Sequence, residues 1–425
     1  MKPLGATSDR PVTYAIGASC RSLAQSLVQW SDLGGACDQF ADRDLPCPAL
    51  APAWRLLRNA DLAASRRSSP PWLFLAGGME HQRGCLRWLS GAMSLAAPSL
   101  PAMARLRHLR AWQRWAKRSG CRFPQTFPLR SQPARPQGNG FRGDNPRWLI
   151  KSLHHAGGFH VTPWLPAIAP DPSRHWLLQR WIEGRSFGTF FLTRPGQVRF
   201  LGCVEHWNAD HLPAPAPHAF RGGWGPAPQR QEVCDSWIRF AEVVQDDLPA
   251  LGLWQADWMV PEQGPPYLLE INPRWTGLTE LVERWSGQNL SHAHWECVAG
   301  KPTEDRSWPS GRKPATDLLW GKSIHYARSN GQVDSPTAQW LWDHRFQGST
   351  GPANPATGLR YLADLPHANA AIEEGAPILS AVTVGTSSSH LIAAATAFDQ
   401  QLQRRLFYGK ESVPLLPGSR EKGEA

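Results

Sequence analysis

The stretch that most constrains this chain is Tyr267-Leu268-Leu269-Glu270-Ile271-Asn272-Pro273-Arg274, with Asp257 thirteen positions before Glu270. Its apolar run predicts a strand. Side chains alternate along a strand, so Glu270, Asn272 and Arg274 are expected on one face. Asp257 lies in a second apolar run, Leu253 to Val260, and the turn formers Pro261-Glu262-Gln263-Gly264-Pro265-Pro266 separate the two. That order predicts a hairpin that sets Asp257 beside Glu270. Two carboxylates and an amide oxygen suit a hard cation, Mg²⁺ or Mn²⁺. A guanidinium just beyond suits a phosphoryl group or a carboxylate. An ordinary hairpin with a solvated, charged face would carry the same short motif, so the decision falls to the rest of the chain.

Upstream, Trp148-Leu149-Ile150-Lys151 reads as a strand ending in lysine, followed after Ser152 to His155 by Gly157-Gly158-Phe159. An ammonium beside a glycine turn is one way a protein meets a polyphosphate. Lys151 is the sole lysine between Lys117 and Lys301, although 45 residues are basic, which points to a position where a compact ammonium is wanted. Next comes Trp176-Leu177-Leu178-Gln179-Arg180-Trp181-Ile182-Glu183-Gly184, an apolar strand running into a polar hinge.

In this order the segments resemble the ATP-grasp superfamily, the enzymes related to biotin carboxylase, D-alanine–D-alanine ligase and glutathione synthetase. Its signature is an acidic residue on one strand and Glu-x-Asn-x-Arg on the next. The resemblance implies ATP as co-substrate and Mg²⁺ (or Mn²⁺) on Asp257, Glu270 and Asn272. It implies Lys151 and the loop at Gly157 and Gly158 on the phosphates, and Arg274, with Lys151, as catalytic. It also implies adenine at Gln179, Trp181 and Ile182, with Glu183 on the ribose. A turn carboxylate before Gly184 accounts for Glu183 equally well. Glutamine stands where glutamate is more usual, and it can still accept from an adenine amino group.

Residues 13 to 118 read as alternating strands and helices. Thr13 to Gly17 is a strand, Arg21 to Trp30 a helix stopped by Gly34-Gly35, Ala36 to Phe40 a second strand and Pro71 to Gly78 a third. Ala102 to Gly120 reads as one amphipathic, basic helix. Ile16-Gly17-Ala18-Ser19 with Arg21 and Asp38 to Asp44 resembles the pre-ATP-grasp domain of carboligase-like members. The run lacks Gly-x-Gly-x-x-Gly, so no dinucleotide site is expected. Asp42 and Asp44 are expected as loop-surface charges.

The expected fold class is α/β (α+β): a Rossmann-like amino-terminal domain (1–127), a Pro/Gly/Arg-rich linker (128–147), the ATP-grasp domain (148–310) and a small β-rich carboxy-terminal domain (311–425) closed by a helix from Ser388 to Phe407.

Composition bounds the partners. With 41% hydrophobic and 19% charged residues the chain is globular. No apolar run reaches the roughly 20 residues of a membrane span, and Met1 to Val12 lacks a signal core, so a soluble cytoplasmic protein with no membrane partner is expected. The eight cysteines form no Cys-x-x-Cys pair, which indicates neither a zinc site nor a disulfide framework. The net charge of +10 is spread along the chain. That disfavours nucleic acid and leaves small anionic substrates or no specific partner. The 22 tryptophans are expected mostly in the core.

By resemblance, the implied function is ligation of a small-molecule carboxylate to an amine through an acyl phosphate. An association with tetrahydromethanopterin- and methanofuran-type one-carbon cofactors is implied in the same way. Biotin carboxylase carries a carboxylate base four residues beyond the arginine. Leu278 stands there in this chain, which disfavours carboxylation, and Glu280 is the candidate proton acceptor for the amine. The alternatives are a non-catalytic ATP-binding module that recruits a partner, a carboxylase-type ATP-grasp enzyme and a nucleic-acid binder.

Overall fold

Strands β1 (Val12–Gly17), β2 (Asp32–Asp38), β3 (Trp72–Leu75) and β4 (Ser94–Ala96) form a parallel sheet in the order β2-β1-β3-β4. Alternate residues feed opposite faces. Ala15 and Phe74 enter one apolar cluster, while Tyr14, Ile16, Leu73 and Leu75 enter another. Burial on both sides is why these strands read as unbroken apolar runs. The computed structural model describes residues 10–39, 42–46, 70–129, 148–152, 157–164, 176–249, 251–301, 318–345 and 358–407. Most of the expected linker, and His154 and His155, lie outside them.

Three local expectations change. Helix α1 (Arg21–Leu27) stops before Trp30, and Gly34-Gly35 lie inside β2 rather than at a helix end. A Cβ at Gly34 would come within 2.5 Å of the Tyr14 ring, so packing of the sheet, not helix capping, requires the glycine. The single helix expected from Ala102 to Gly120 is two. After α2 (Arg83–Leu89) come α3 (Leu100–Leu106) and α4 (Leu109–Ser119), broken at Arg107-His108. The Trp112 indole donates to the Leu106 carbonyl at 2.5 Å, capping the first helix, and the break releases the Arg107 side chain toward Glu270 and the Ile271 carbonyl. Asp42 is buried, and Asp44 is half-buried, accepting the Leu365 and Asp364 amides at 2.8 and 3.2 Å, so neither is a surface charge.

Strands β5 (Thr126–Leu129), β6 (Trp148–Ser152), β7 (Val161–Pro163) and β8 (Trp176–Arg180) form a small antiparallel sheet, ordered β5-β8-β6-β7. An antiparallel sheet of eight strands follows. Its members are β9 (Arg185–Arg194), β10 (Gln197–His206), β11 (Gly222–Gly225), β12 (Gly252–Val260), β13 (Tyr267–Asn272), β14 (Leu319–Tyr326), β16 (Leu359–Ala363) and β18 (Pro377–Gly385). Their spatial order is β13-β12-β9-β10-β11-β14-β18-β16, and β15 (Gly331–Gln332) pairs with β17 (Ala371–Ile372) separately. Helix α5 (Gln231–Asp247) covers one face, packing Trp237, Phe240 and Val244 on Phe187, Trp254 and Trp258. Helices α6 (Thr279–Ser286) and α7 (Leu290–Val298) cover the other, joining Phe190, Leu192 and Leu253 to Leu23 and Phe74 of the parallel unit. Helices α8 (Ser335–Asp343) and α9 (Ser388–Phe407) flank the far end. Five tryptophans are among the largest fully buried side chains, as their indole area favours. Among the described residues no helix is long and apolar enough to cross a membrane.

His294 of α7 ties this layer to both sheets. Its Nδ1 accepts the Leu253 amide at 2.8 Å, which leaves the proton on Nε2, 2.7 Å from the Ala96 carbonyl. Burial lowers its pKa from 6.5 to about 4. Between those values the unfolded chain binds a proton that the folded protein does not, so stability falls as pH falls. In urea titrations, the stability advantage of wild type over His294→Asn is expected to shrink by about 1.4 kcal/mol per pH unit across that window. A pH-independent difference would contradict it.

Candidate functional site

In the β12–β13 hairpin Asp257 pairs with Glu270 and Gln255 with Asn272. All four side chains share one face, because Trp254, Ala256, Trp258, Leu268 and Ile271 fill the core on the other. Asn272 Nδ2 donates to Asp257 Oδ2 at 2.9 Å, and Gln255 Nε2 to Asp257 Oδ1 at 2.5 Å. Thr276 fixes that glutamine by donating to its Oε1 at 2.5 Å. Burial and the neighbouring Glu270 carboxylate push Asp257 up to about 7. Burial acts on Glu270 too, yet Lys151 and Arg107 overcome it and hold its carboxyl well below the usual range. Lys151 Nζ lies 3.1 Å from Glu270 Oε2, and Arg107 Nη1 lies 3.1 Å from Oε1.

Lys151 reaches this hairpin from the small sheet. Cross-strand pairs Leu149–Gln179 and Lys151–Leu177 put Lys151 and Gln179 on one face, opposite the cluster of Trp148, Ile150 and Leu178. Gln179 is buried and donates to Thr126 Oγ1 at 3.1 Å. Beyond the strand, Trp181 and Ile182 are half-buried and Glu183 is exposed on the turn. The Trp181 ring lies 5.3 Å from that of His218. The same residue receives the glycine turn. Gly157 and Gly158 have φ of +78° and +74°, and a Cβ on Gly158 would fall 1.8 Å from the His218 carbonyl. Phe220 N donates to Gly157 O at 2.8 Å, latching the turn down. Thus Lys151, Asp257, Glu270, Asn272 and Arg274 converge at one end, while Gly157, Gly158 and Trp181 meet around His218. Glu183 joins neither group directly.

Arg274 is clamped. Its Nε donates to Glu80 Oε2 at 2.6 Å and its Nη2 to Asn272 Oδ1 at 3.3 Å. Glu80, Arg107 and His206 escaped sequence reading, since each lies far from the motifs in the chain. His206 closes β10 with Nδ1 2.9 Å from Ser186 Oγ and Nε2 3.9 Å from Asp257 Oδ1. Gly188 makes this approach possible, because a Cβ there would lie 3.0 Å from His206 Nε2 and 2.7 Å from Gln255 Nε2. Burial lowers the pKa of His206 to about 4, so the ring is neutral at pH 7.

Glu280 is corrected as a proton acceptor. It accepts both Arg21 Nη groups at 2.9 and 2.6 Å, Lys322 Nζ at 3.0 Å and the Tyr361 hydroxyl at 2.8 Å. Against the pull of burial, those cations hold it well below the usual range.

The donor set fits a hard cation: two carboxylates and an amide on adjacent strands. Among the described residues no three His, Cys, Asp or Glu side chains converge as a metal centre, so a cation would complete its shell with Asn272 and oxygens of its ligand. A polar ligand is also fitted by two buried atoms without hydrogen-bond partners among the described residues, Trp181 Nε1 and His206 Nε2.

Residues 114–278 match the ATP-grasp domain family. The solved structures agree over nearly the whole chain. The L-amino acid ligase of Bacillus licheniformis superposes with a TM-score of 0.59 at 13% identity, covering 94% of this chain and 98% of that one. The ADP complex of an N5-carboxyaminoimidazole ribonucleotide synthetase superposes at 0.64 with 12% identity, covering 93% and 100%. The fold is ATP-grasp. N5-carboxyaminoimidazole synthetase from Staphylococcus aureus, complexed with ADP, gives 0.61 at 10% identity, covering 91% and 96%. No curated protein sequence matches the chain. Within this fold Lys151 comes from the small sheet, Asp257 and Glu270 come from the large one, and the amino-terminal parallel unit supplies Glu80 and Arg107.

Proposed function

We propose that the protein is an ADP-forming ligase that joins a small-molecule carboxylate to an amine. The observation that carries this is the convergence of Lys151, Asp257, Glu270, Asn272 and Arg274 from two sheets onto one cleft. The ATP-grasp fold and likeness to a ligase and a synthetase support it. ATP supplies the phosphoryl group and Mg²⁺ the charge that offsets the phosphates. Asp257, Glu270 and Asn272 would hold the cation, and Lys151, now paired with Glu270, would turn to phosphate oxygens. Gln179, Trp181 and Ile182 would face the adenine, and Glu183 the ribose. A substrate carboxylate oxygen attacks the terminal phosphorus and the bond to ADP breaks. The amine then attacks the acyl carbon and inorganic phosphate leaves. Arg274, fixed by Glu80 and Asn272, would neutralise charge on the phosphoryl group. Glu280 is salt-bridged and unavailable as the amine's base. The one-carbon cofactor pathway rests on resemblance alone, and the boundaries near 128, 148 and 311 on the composition along the chain.

Incubation with ATP, Mg²⁺, carboxylate mixtures and hydroxylamine is expected to give ADP and a hydroxamate. AMP with pyrophosphate, or fixation of labelled bicarbonate, would overturn the reading. ATP binding without any turnover would leave the non-catalytic module in its place. Lys151→Ala is expected to weaken ATP binding by about 1.5–3 kcal/mol, the range for hydrogen bonds to charged groups. Wild-type affinity in calorimetry would remove Lys151 from the phosphates.

A further inference from the structure

His206 ends β10 and Asp257 lies on β12, with β9 running between them. Neighbouring strands are about 4.8 Å apart, so an ordinary side chain on β9 would fill the space between the two residues. Gly188 stands there instead. It pairs with Asp257 on one side and with Val204 on the other, and a Cβ on it would fall 3.0 Å from His206 Nε2. The imidazole therefore reaches across the bare backbone of β9, and its Nε2 stops 3.9 Å from Asp257 Oδ1. That nitrogen is buried and has no hydrogen-bond partner. Buried polar atoms are nearly always bonded, so an unbonded one beside a candidate cation site calls for a cause.

The other ring nitrogen is settled. Among the described residues the Ser186 hydroxyl has Nδ1 as its side-chain partner, 2.9 Å away, and donates its proton there. The proton of the ring is then on Nε2, on the side of the carboxylate. A carboxylate offers about four lone pairs. Asp257 accepts from Gln255 at Oδ1 and from Asn272 at Oδ2, which leaves one lone pair for a cation and one for the imidazole.

We propose that His206 is the positioning residue of the cation site: its Nε2–H bonds Asp257 when the cation is bound and fixes that carboxylate as a ligand. An N–H···O bond is about 2.9 Å long, so the gap closes by roughly 1 Å. The inference rests on the ligase reading, which supplies the cation.

Calorimetry of ADP binding in Mg²⁺ and, separately, in EDTA reads the contribution of the cation without turnover. Wild type is expected to bind more tightly with Mg²⁺. His206→Asn keeps a polar group at the Nδ1 position for Ser186 and removes Nε2. It is expected to lower the affinity in Mg²⁺ about tenfold, the lower end for losing a hydrogen-bond partner of a metal ligand, and to leave the affinity in EDTA unchanged. His206→Gln, whose amide reaches the Nε2 position, is expected to keep the wild-type affinity in Mg²⁺. Unchanged Mg²⁺ affinity in His206→Asn overturns the proposal. So does an equal loss in EDTA, or a loss in His206→Gln as large as in His206→Asn, since each assigns the histidine to packing. A wild type indifferent to Mg²⁺ overturns the ligase reading itself, a result distinct from a Mg²⁺-dependent wild type with an unaffected variant. The crystal structure of the wild-type Mg–ADP complex decides where a variant fails to fold. Nε2 is expected within about 3.2 Å of an Asp257 oxygen. A separation still at 3.9 Å, or a phosphate oxygen or the cation itself on Nε2, overturns the proposal.

Discussion

Glu270→Gln is expected to lower the rate of ADP formation roughly 10²–10³-fold, the scale for losing one group that stabilises developing charge. The substitution keeps the shape of the side chain and removes the charge that faces both Lys151 and Arg107. Melting should stay close to wild type, because Glu270 sits on the polar face of the hairpin and Leu268 and Ile271 carry the core contacts. ADP release at varied Mg²⁺, with the carboxylate found by hydroxamate trapping, is the measurement. Wild-type turnover with unchanged Mg²⁺ dependence would place the cation elsewhere.

The largest stability effect is expected at Arg21. This guanidinium is 1% exposed, bonds Glu280 and Asp364, and lies 3.7 Å from Asp44. Lys322, at 3.0 Å from Glu280 and 3.4 Å from Asp364, is the second cation of the group. Arg21→Met leaves two buried carboxylates to one ammonium, and breaking a buried pair in this way costs about 3–5 kcal/mol. Denaturant unfolding followed by circular dichroism reads the loss. Adding Glu280→Gln to Arg21→Met should recover part of it, since the uncompensated charge is what costs. A loss below about 1 kcal/mol for Arg21→Met would show that the network contributes little.

The hairpin was legible because its information is local. Alternation from Asp257 to Val260 and from Tyr267 to Asn272, with a Pro/Gly turn between, is enough to put Asp257, Glu270 and Asn272 on one face. Lys151 was legible for the same reason, as a rare ammonium at the end of a short strand before glycines. Arg107 was not. Leu106, Leu109, Trp112 and Trp115 keep helical spacing through the break, so periodicity cannot register an interruption caused by an indole binding a carbonyl. Glu280 failed in the opposite direction. Its nearness to Arg274 in sequence suggested chemistry, and its partners Arg21 and Lys322, 259 and 42 positions away, removed it. Asp42 and Asp44 likewise looked like loop charges because nothing near them in sequence reveals the burial of Asp42 or the Asp364 and Leu365 amides that Asp44 accepts.

The order of the eight-stranded sheet bears on how the protein is made. Strand β11 pairs with β10 on one side and with β14 on the other, and β14 begins at Leu319, after β12 and β13 have been synthesised. Until it arrives, β11 is an open edge of unpaired amides and carbonyls, separated by β9 and β10 from the hairpin that already carries Asp257 and Glu270. Unpaired edges invite association with other chains, and pairings between distant segments form slowly. The ribosome therefore releases the strands of Asp257 and Glu270 well before the sheet that supports them is complete. The interval from β13 to β18 is when a nascent copy is most exposed to its neighbours.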